Sequence, residues 1–170
     1  ANHIRAAGDE DIHVRIEGLE QQTRAGYKVA VHEFDVGEAA GRVVYERDGV
    51  RVTAIPVIHG CWKQAYGFRI DTPDRSIVIS GDTGTDAHIE EQGLRCDVLV
   101  HGVYSEAGFA KRPPEWQTYH SKYHTSSRQL GAIASRARPG LLVLYHQLIW
   151  SSTEAELVKE VQSAYDGKVV

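Results

Sequence analysis

The sequence predicts an α/β fold in which a β-meander passes into βαβ units. Three observations predict it. Asp48-Gly49 lies between β-rich runs at 42–46 and 50–55, and Asp-Gly in that setting marks a tight hairpin. Short apolar runs rich in Val, Ile and Leu recur at 76–79, 96–101 and 141–145, as buried strands require. Helix start and stop signals separate these runs, and strands alternating with helices imply parallel pairing.

Ile12, Val14 and Ile16 alternate with His13 and Arg15, which suits a half-buried strand, and residues 27–34 suit another. The polar stretch 18–26 reads as a turn or short helix, and residues 37–41 as a link. After the first hairpin, residues 65–70 and 76–79 form a second around Thr72-Pro73-Asp74. Asp86 caps a helix to about Gln92, which Gly93 ends. Residues 96–101 are a buried strand. The polar and aromatic segment 104–123, with Pro113-Pro114 and Trp116, reads as a long loop of the kind that carries function. A helix starts at Thr125-Ser126-Ser127-Arg128, runs to about Arg136 and is stopped by Pro139-Gly140. The strand 141–145 ends at His146. Ser152 and Thr153 cap a last helix to about Ala164, and residues 167–170 begin another strand.

The 170 residues are 42% hydrophobic and 25% charged, which sets a single globular domain as the expectation for 1–170. The net charge of −4 and the pI near 6.1 argue against a broad nucleic-acid footprint. Cys61 and Cys96 form no CxxC pair, so a reduced, cytoplasmic setting is expected. No apolar run approaches the length of a membrane span, so no membrane partner is expected. The chain holds no Met, begins Ala1-Asn2-His3 and ends in a strand-like run, which reads as a piece of a longer protein.

One constellation carries chemistry. His59 follows an apolar run, Asp82 follows the 76–79 strand through Ser80-Gly81, and His146 ends the 141–145 strand. Rigid strands thus present two imidazoles and a carboxylate at their ends, a donor set that suits zinc and also manganese or iron. Taken singly, each has a plainer reading: a histidine at a strand end is solvated, and an Asp before Thr-Gly forms a turn. Cys61 reads as a small buried hydrophobe and Lys111-Arg112 as a solvated loop pair. His120 and His124 are four apart, but Ser121-Lys122-Tyr123 between them shows no helical pattern.

Pro56-Val57-Ile58-His59-Gly60, Ala65-Tyr66-Gly67-Phe68-Arg69-Ile70 and Ser80-Gly81-Asp82-Thr83-Gly84 together resemble the metallo-β-lactamase superfamily. The likeness is to its ribonuclease Z, arylsulfatase and phosphodiesterase-like members. It continues through 96–101, through Tyr123-His124-Thr125-Ser126-Ser127 and through Leu144-Tyr145-His146, covering roughly residues 50–170. The resemblance implies an αββα sandwich, of which this chain holds mostly the second half. It implies two zinc ions, with His59 and His146 as ligands and Asp82 as the bridging carboxylate. It also implies that His124 protonates the leaving group, which makes Asp82 and His124 the catalytic pair. Trp62, Tyr66, Tyr104 and Trp116 are expected to line the substrate pocket.

Two departures stand out. The His-x-His-x-Asp-His motif that supplies most family ligands is absent from residues 1–58. Where ribonuclease Z-like chains carry His-Glu, this one has His101-Gly102, so the acid that would orient His124 must come from Glu106 or another residue. The expected activity is attack of a metal hydroxide on a phosphodiester, sulfate ester or related ester or amide bond of a small molecule. Ribonuclease Z-type processing of tRNA 3′ ends ranks second, because the charge is acidic and no tRNA-gripping arm is visible. A non-catalytic binding domain of the same fold is the remaining alternative. A missing N-terminal half, a partner chain or a homo-oligomer is expected to complete the site, and the chain alone to hold one metal weakly or none.

Overall fold

The structure, a computed structural model, describes residues 2–18, 30–37 and 39–170, the side chains of 2–7 excepted. It divides into two compact units, residues 1–35 and 36–170.

In the first unit, α1 (Asn2–Gly18) occupies the stretch expected to hold a strand at 12–16. The alternation at 12, 14 and 16 also places Ile12 and Ile16 four apart, on one helical face, where both are half-buried while Val14 stays 59% exposed. The charges settle the period: Arg15 pairs with Asp11 at 2.8 Å and His13 with Glu17 at 3.5 Å, both four apart. Residues 30–34 carry no strand. The rest of that expected strand, 27–29, and most of the expected turn or short helix, 19–26, lie outside the described residues.

The second unit is built on one sheet of six strands, ordered as in the chain. They are β1 (Arg42–Arg47), β2 (Val50–Pro56), β3 (Tyr66–Asp71), β4 (Ser76–Ile79), β5 (Val98–Tyr104) and β6 (Leu141–Leu148). β1 to β4 pair antiparallel; β4–β5 and β5–β6 are parallel. The meander therefore passes into βαβ units as the sequence predicts. Asp48 and Gly49 sit at φ 52° and 77°, the two left-handed residues of a tight hairpin. Residues 168–170 add a short parallel bridge beside β6, with Val170 N–H donating to the Leu142 carbonyl at 3.0 Å.

The helices α2 (Ala87–Gln92), α5 (Ser127–Ala137) and α6 (Glu154–Gln162) begin at the predicted caps. Asp86 accepts from His88 N–H, while Ser126 with Gln129 and Thr153 with Glu156 form capping boxes. The expected loop at 104–123 is largely helical: α3 (Glu106–Phe109) and α4 (Pro114–Tyr123) lie within it. Pro114 opens α4 instead of breaking the chain, because the first helical position has no use for an N–H. The polarity of this segment is that of a surface helix. His120 is therefore helical and His124 is the α4 C-cap, against the expectation for Ser121-Lys122-Tyr123.

The core lies on one face of the sheet. Ile55, Val78, Leu99 and Leu142 pack there with Ile89 of α2, Leu130 of α5 and Leu157 and Val161 of α6. The opposite face carries two apolar rows in register, Ile70–Ile77–Val98–Leu141 and Phe68–Ile79–Val100–Val143. All eight are only half-buried, whereas the core residues are fully buried. Within this unit, α2, α5 and α6 form an α layer on one face of the sheet, a mixed α/β arrangement.

Candidate metal centre

The ends of β2, β4 and β6 and the C-cap of α4 converge on one carboxylate. Asp82 Oδ2 lies 3.5 Å from His59 Nε2 and 3.4 Å from His146 Nε2, and Asp82 Oδ1 lies 2.7 Å from His124 Nδ1. Asp82, His124 and His146 each offer a ligand atom within 4.8 Å of the others. The structure thus brings together all four residues expected at the site.

Local sequence explains each placement. Gly81 stands at φ 68°, and a β-carbon there would collide with the Tyr66 carbonyl oxygen, so only glycine lets the chain turn Asp82 into the crevice. Gly60, at φ 57°, lies where any side chain would strike the Tyr123 ring. His146 is the extra residue of a β-bulge: Gly102 faces Tyr145 and Val103 faces Gln147. Its φ of 44° is left-handed, a strain on the order of 1–3 kcal/mol that re-aims its ring toward Asp82.

Contacts not foreseen from the sequence lock the His59 loop to the Asp82 turn. The Ile58 carbonyl accepts from Thr83 Oγ1 at 3.0 Å and from Gly84 N–H at 2.8 Å. Ile58 N–H donates to Asp86 Oδ2 at 2.9 Å, so Asp86 anchors this loop and caps α2 at once. Thr125 Oγ1 donates to the Thr83 carbonyl at 3.0 Å, which joins the His124 segment to the same turn. Behind it, the Glu160 carboxylate accepts from Ser105 and Ser127 hydroxyls and from the Glu106 and Ala107 N–H groups. The only sequence signal for these roles is small hydroxyl residues next to a presumed ligand, which is too common to single out.

The donor geometry fits a cation. The Tyr123 carbonyl can only accept, so the 3.0 Å contact to His59 Nδ1 fixes the proton there. His59 Nε2 then presents a lone pair to a carboxylate oxygen, and two acceptors face each other. Ligands of a tetrahedral zinc, with bonds near 2.0–2.1 Å, stand about 3.3 Å apart. The separations of 3.4 and 3.5 Å match that spacing for His146 and His59 each taken with Asp82, whereas the donors that close on one another within 4.8 Å are Asp82, His124 and His146 without His59, and the 2.7 Å His124–Asp82 contact is a hydrogen bond. Burial pushes the Asp82 carboxyl up, but the hydrogen bond from His124, joined by the pull of the His124, His59 and His146 rings on the anion whenever they carry a proton, outweighs it and holds it below the usual carboxylate range.

Asp82 also supplies the acid that Gly102 cannot. His124 Nδ1–H donates to Asp82 Oδ1, while Glu106 instead pairs with Ser126 and Arg128. The expected pocket residues scatter. Trp62 is bridged to His59 and 66% exposed, and Trp116 is 46% exposed on α4. Tyr66 is half-buried beside Pro56, and Tyr104 is buried against Phe109. Cys61 is exposed, not buried, with Sγ 3.3 Å from the Tyr123 hydroxyl.

Comparison with known proteins gives the family. A family model described as the beta-lactamase superfamily domain matches residues 3–147. The ribonuclease Z of Mycobacterium avium (strain 104) is 34% identical over 128 residues, which cover 71% of this chain and 46% of that protein. The ribonuclease Z of Mycobacterium bovis (strain BCG / Pasteur 1173P2) is 32% identical over 118 residues, covering 69% and 40%. Among solved structures, the metallo-β-lactamase fold protein YhfI from Bacillus subtilis superposes with a TM-score of 0.59 at 22% identity, covering 74% of this chain and 46% of that one. The short form of human tRNase Z superposes with a TM-score of 0.51 at 19% identity, covering 65% and 42%. The chain belongs to the metallo-β-lactamase superfamily. It spans less than half the length of these relatives.

Proposed function

We propose that this chain carries part of the catalytic centre of a metal-dependent hydrolase that cleaves phosphodiester, sulfate ester or related ester or amide bonds. The observation that carries the reading is the facing pair of acceptors, His59 Nε2 and Asp82 Oδ2, repeated at ligand spacing by His146. His59, Asp82 and His146 would hold divalent metal, taken here as zinc with manganese or iron as alternatives. A bound divalent ion supplies an activated water near neutral pH and polarises the ester oxygen.

The chain's own residues do the rest. Asp82 accepts from His124 Nδ1–H, orients the ring and stabilises its imidazolium form, whose Nε2–H would give the proton to the departing oxygen and leave neutral His124 with Nδ1–H. The Tyr123 carbonyl keeps His59 in the tautomer that exposes Nε2. Burial of His124, 8% exposed, keeps water from competing for that proton.

Small-molecule esters led the sequence reading, with tRNA second. Relatives named ribonuclease Z weigh toward the RNA reading, and Asp82 meets the objection raised by Gly102. Phosphodiester cleavage is common to both readings. The half-exposed apolar rows support a sandwich completed by a second sheet, and the unmatched length of the relatives is the occupant we assign to that face. The site would then gain the donors absent from residues 1–58.

The test is zinc-dependent turnover by the protein isolated from its source. An aryl phosphodiester, an aryl sulfate and a tRNA with a 3′ extension are assayed side by side. Phosphodiester cleavage is expected, and His124→Ala should reduce it about 100-fold with little change in zinc content. A folded protein that holds no metal and turns over none of the three is a binding domain instead.

A further inference from the structure

A cluster next to the metal centre remains unused by this mechanism. The Arg112 guanidinium lies over two indole rings, 5.4 Å from the Trp116 centroid and 5.7 Å from that of Trp150. His120 stacks on Trp116 at 5.7 Å, leans on Trp150 at 4.9 Å and touches the His124 ring at 5.2 Å. The cluster is thus one imidazole removed from the proposed acid. Trp150 sits at φ 48°, in the left-handed region.

The cluster is short of acceptors. Arg112 Nε and His120 Nδ1 are both buried without a hydrogen-bond partner, and His120 is 8% exposed. Among the described residues no carboxylate pairs with Arg112, although other arginines of this unit, such as Arg51, Arg69, Arg136 and Arg138, each pair with one. A half-buried guanidinium without a counter-ion has lost hydration and gained only the ring faces. The two rings also hold its Cζ in place, so less side-chain freedom is lost when a ligand arrives. The chemistry that satisfies such a group is an oxyanion able to accept two parallel N–H bonds.

We propose that Arg112, set on Trp116 and Trp150 beside His120, is an oxyanion subsite that holds a substrate phosphate other than the one cleaved. This rests on the hydrolase reading and adds to it: the substrate carries a second phosphate, one side chain away from His124. The phosphate comes from a neighbouring nucleotide of an RNA strand or from a small polyphosphate ester.

The experiment is a fluorescence titration of metal-free, EDTA-treated protein at constant ionic strength. A Trp62→Phe background leaves Trp116 and Trp150 as the only tryptophans. The probes are inorganic phosphate, pyrophosphate and a 5′-phosphorylated RNA trinucleotide. A saturable change is expected, weakened at least about tenfold by Arg112→Gln and less by Arg112→Lys, which keeps the charge but loses the fork. Tightest binding of the trinucleotide assigns the phosphate to RNA, and tightest binding of pyrophosphate to a small ester. His146→Ala should remove zinc binding while leaving this titration within about twofold, so failure of the metal reading and failure of the subsite are separable. No saturable change in the parent, or Arg112→Gln binding as the parent does, overturns the proposal. Should Arg112→Gln fail to fold by circular dichroism, Arg112→Lys with unchanged affinity for all three probes overturns it equally.

Discussion

In the protein isolated from its source, with the site's other donors in place, Asp82→Asn is expected to weaken zinc binding at least about 1000-fold, roughly 4 kcal/mol, without unfolding it. The substitution keeps the shape of the side chain and an acceptor for His124 Nδ1–H, which lies 2.7 Å away. It replaces the oxygen that faces His59 and His146 at 3.5 and 3.4 Å with an amide. That amide donates to the His59 Nε2 lone pair and closes this gap with a hydrogen bond, so an ion loses its anionic donor and gains competition for His59. Calorimetric titration with zinc measures the loss. Equal affinity in the variant and parent would move the ion away from this carboxylate.

The second large effect is on stability against acid. His101 is fully buried in β5, donates through Nδ1 to the Gly102 carbonyl at 2.7 Å and has no partner for Nε2. Burial pushes its pKa down to about 4, against the upward pull of that hydrogen bond. The unfolded chain takes up this proton near pH 6.5, the folded chain only near pH 4. Between those values the unfolded state binds more protons, so stability falls as pH drops through that window and levels off below it. The full loss is about 3 kcal/mol. Urea unfolding from pH 7 to pH 4 should show that loss in the parent and not in His101→Leu. Parallel curves for the two proteins would mean that His101 titrates normally.

Much of the fold was legible because its signals are local. Asp48-Gly49 forces a hairpin whatever surrounds it, and Asp86, Ser126 and Thr153 each accept from their own helix. The misread segments are those where local signals fit two periods. Ile12, Val14 and Ile16 satisfy a strand, but Ile12 and Ile16 also satisfy a helix, and only the pairs Asp11–Arg15 and His13–Glu17 discriminate. Pro113-Pro114 looked like a loop and is a helix start.

The site divides the same way. His59, Asp82 and His146 could be picked out because each ends an apolar run. The family resemblance added His124, which by itself reads as a residue before a helix cap. What the sequence could not reveal depends on groups distant in the chain. The Tyr123 carbonyl that sets the His59 tautomer is 64 residues away, and Asp82 orients His124 across 42. Arg112 looked solvated because its indole neighbours, Trp116 and Trp150, lie on either side of the His124 segment in sequence and meet only in the fold.

The most direct test of the proposed metal centre is zinc titration followed by histidine side-chain 15N–1H NMR. His59 and His146 are expected to move together at Nε2 as zinc binds. His59 should keep its proton on Nδ1, and the His124 Nδ1–H signal should stay in place, held by Asp82. Zinc that saturates the chain while the His59 and His146 resonances stay put would contradict the proposed metal centre.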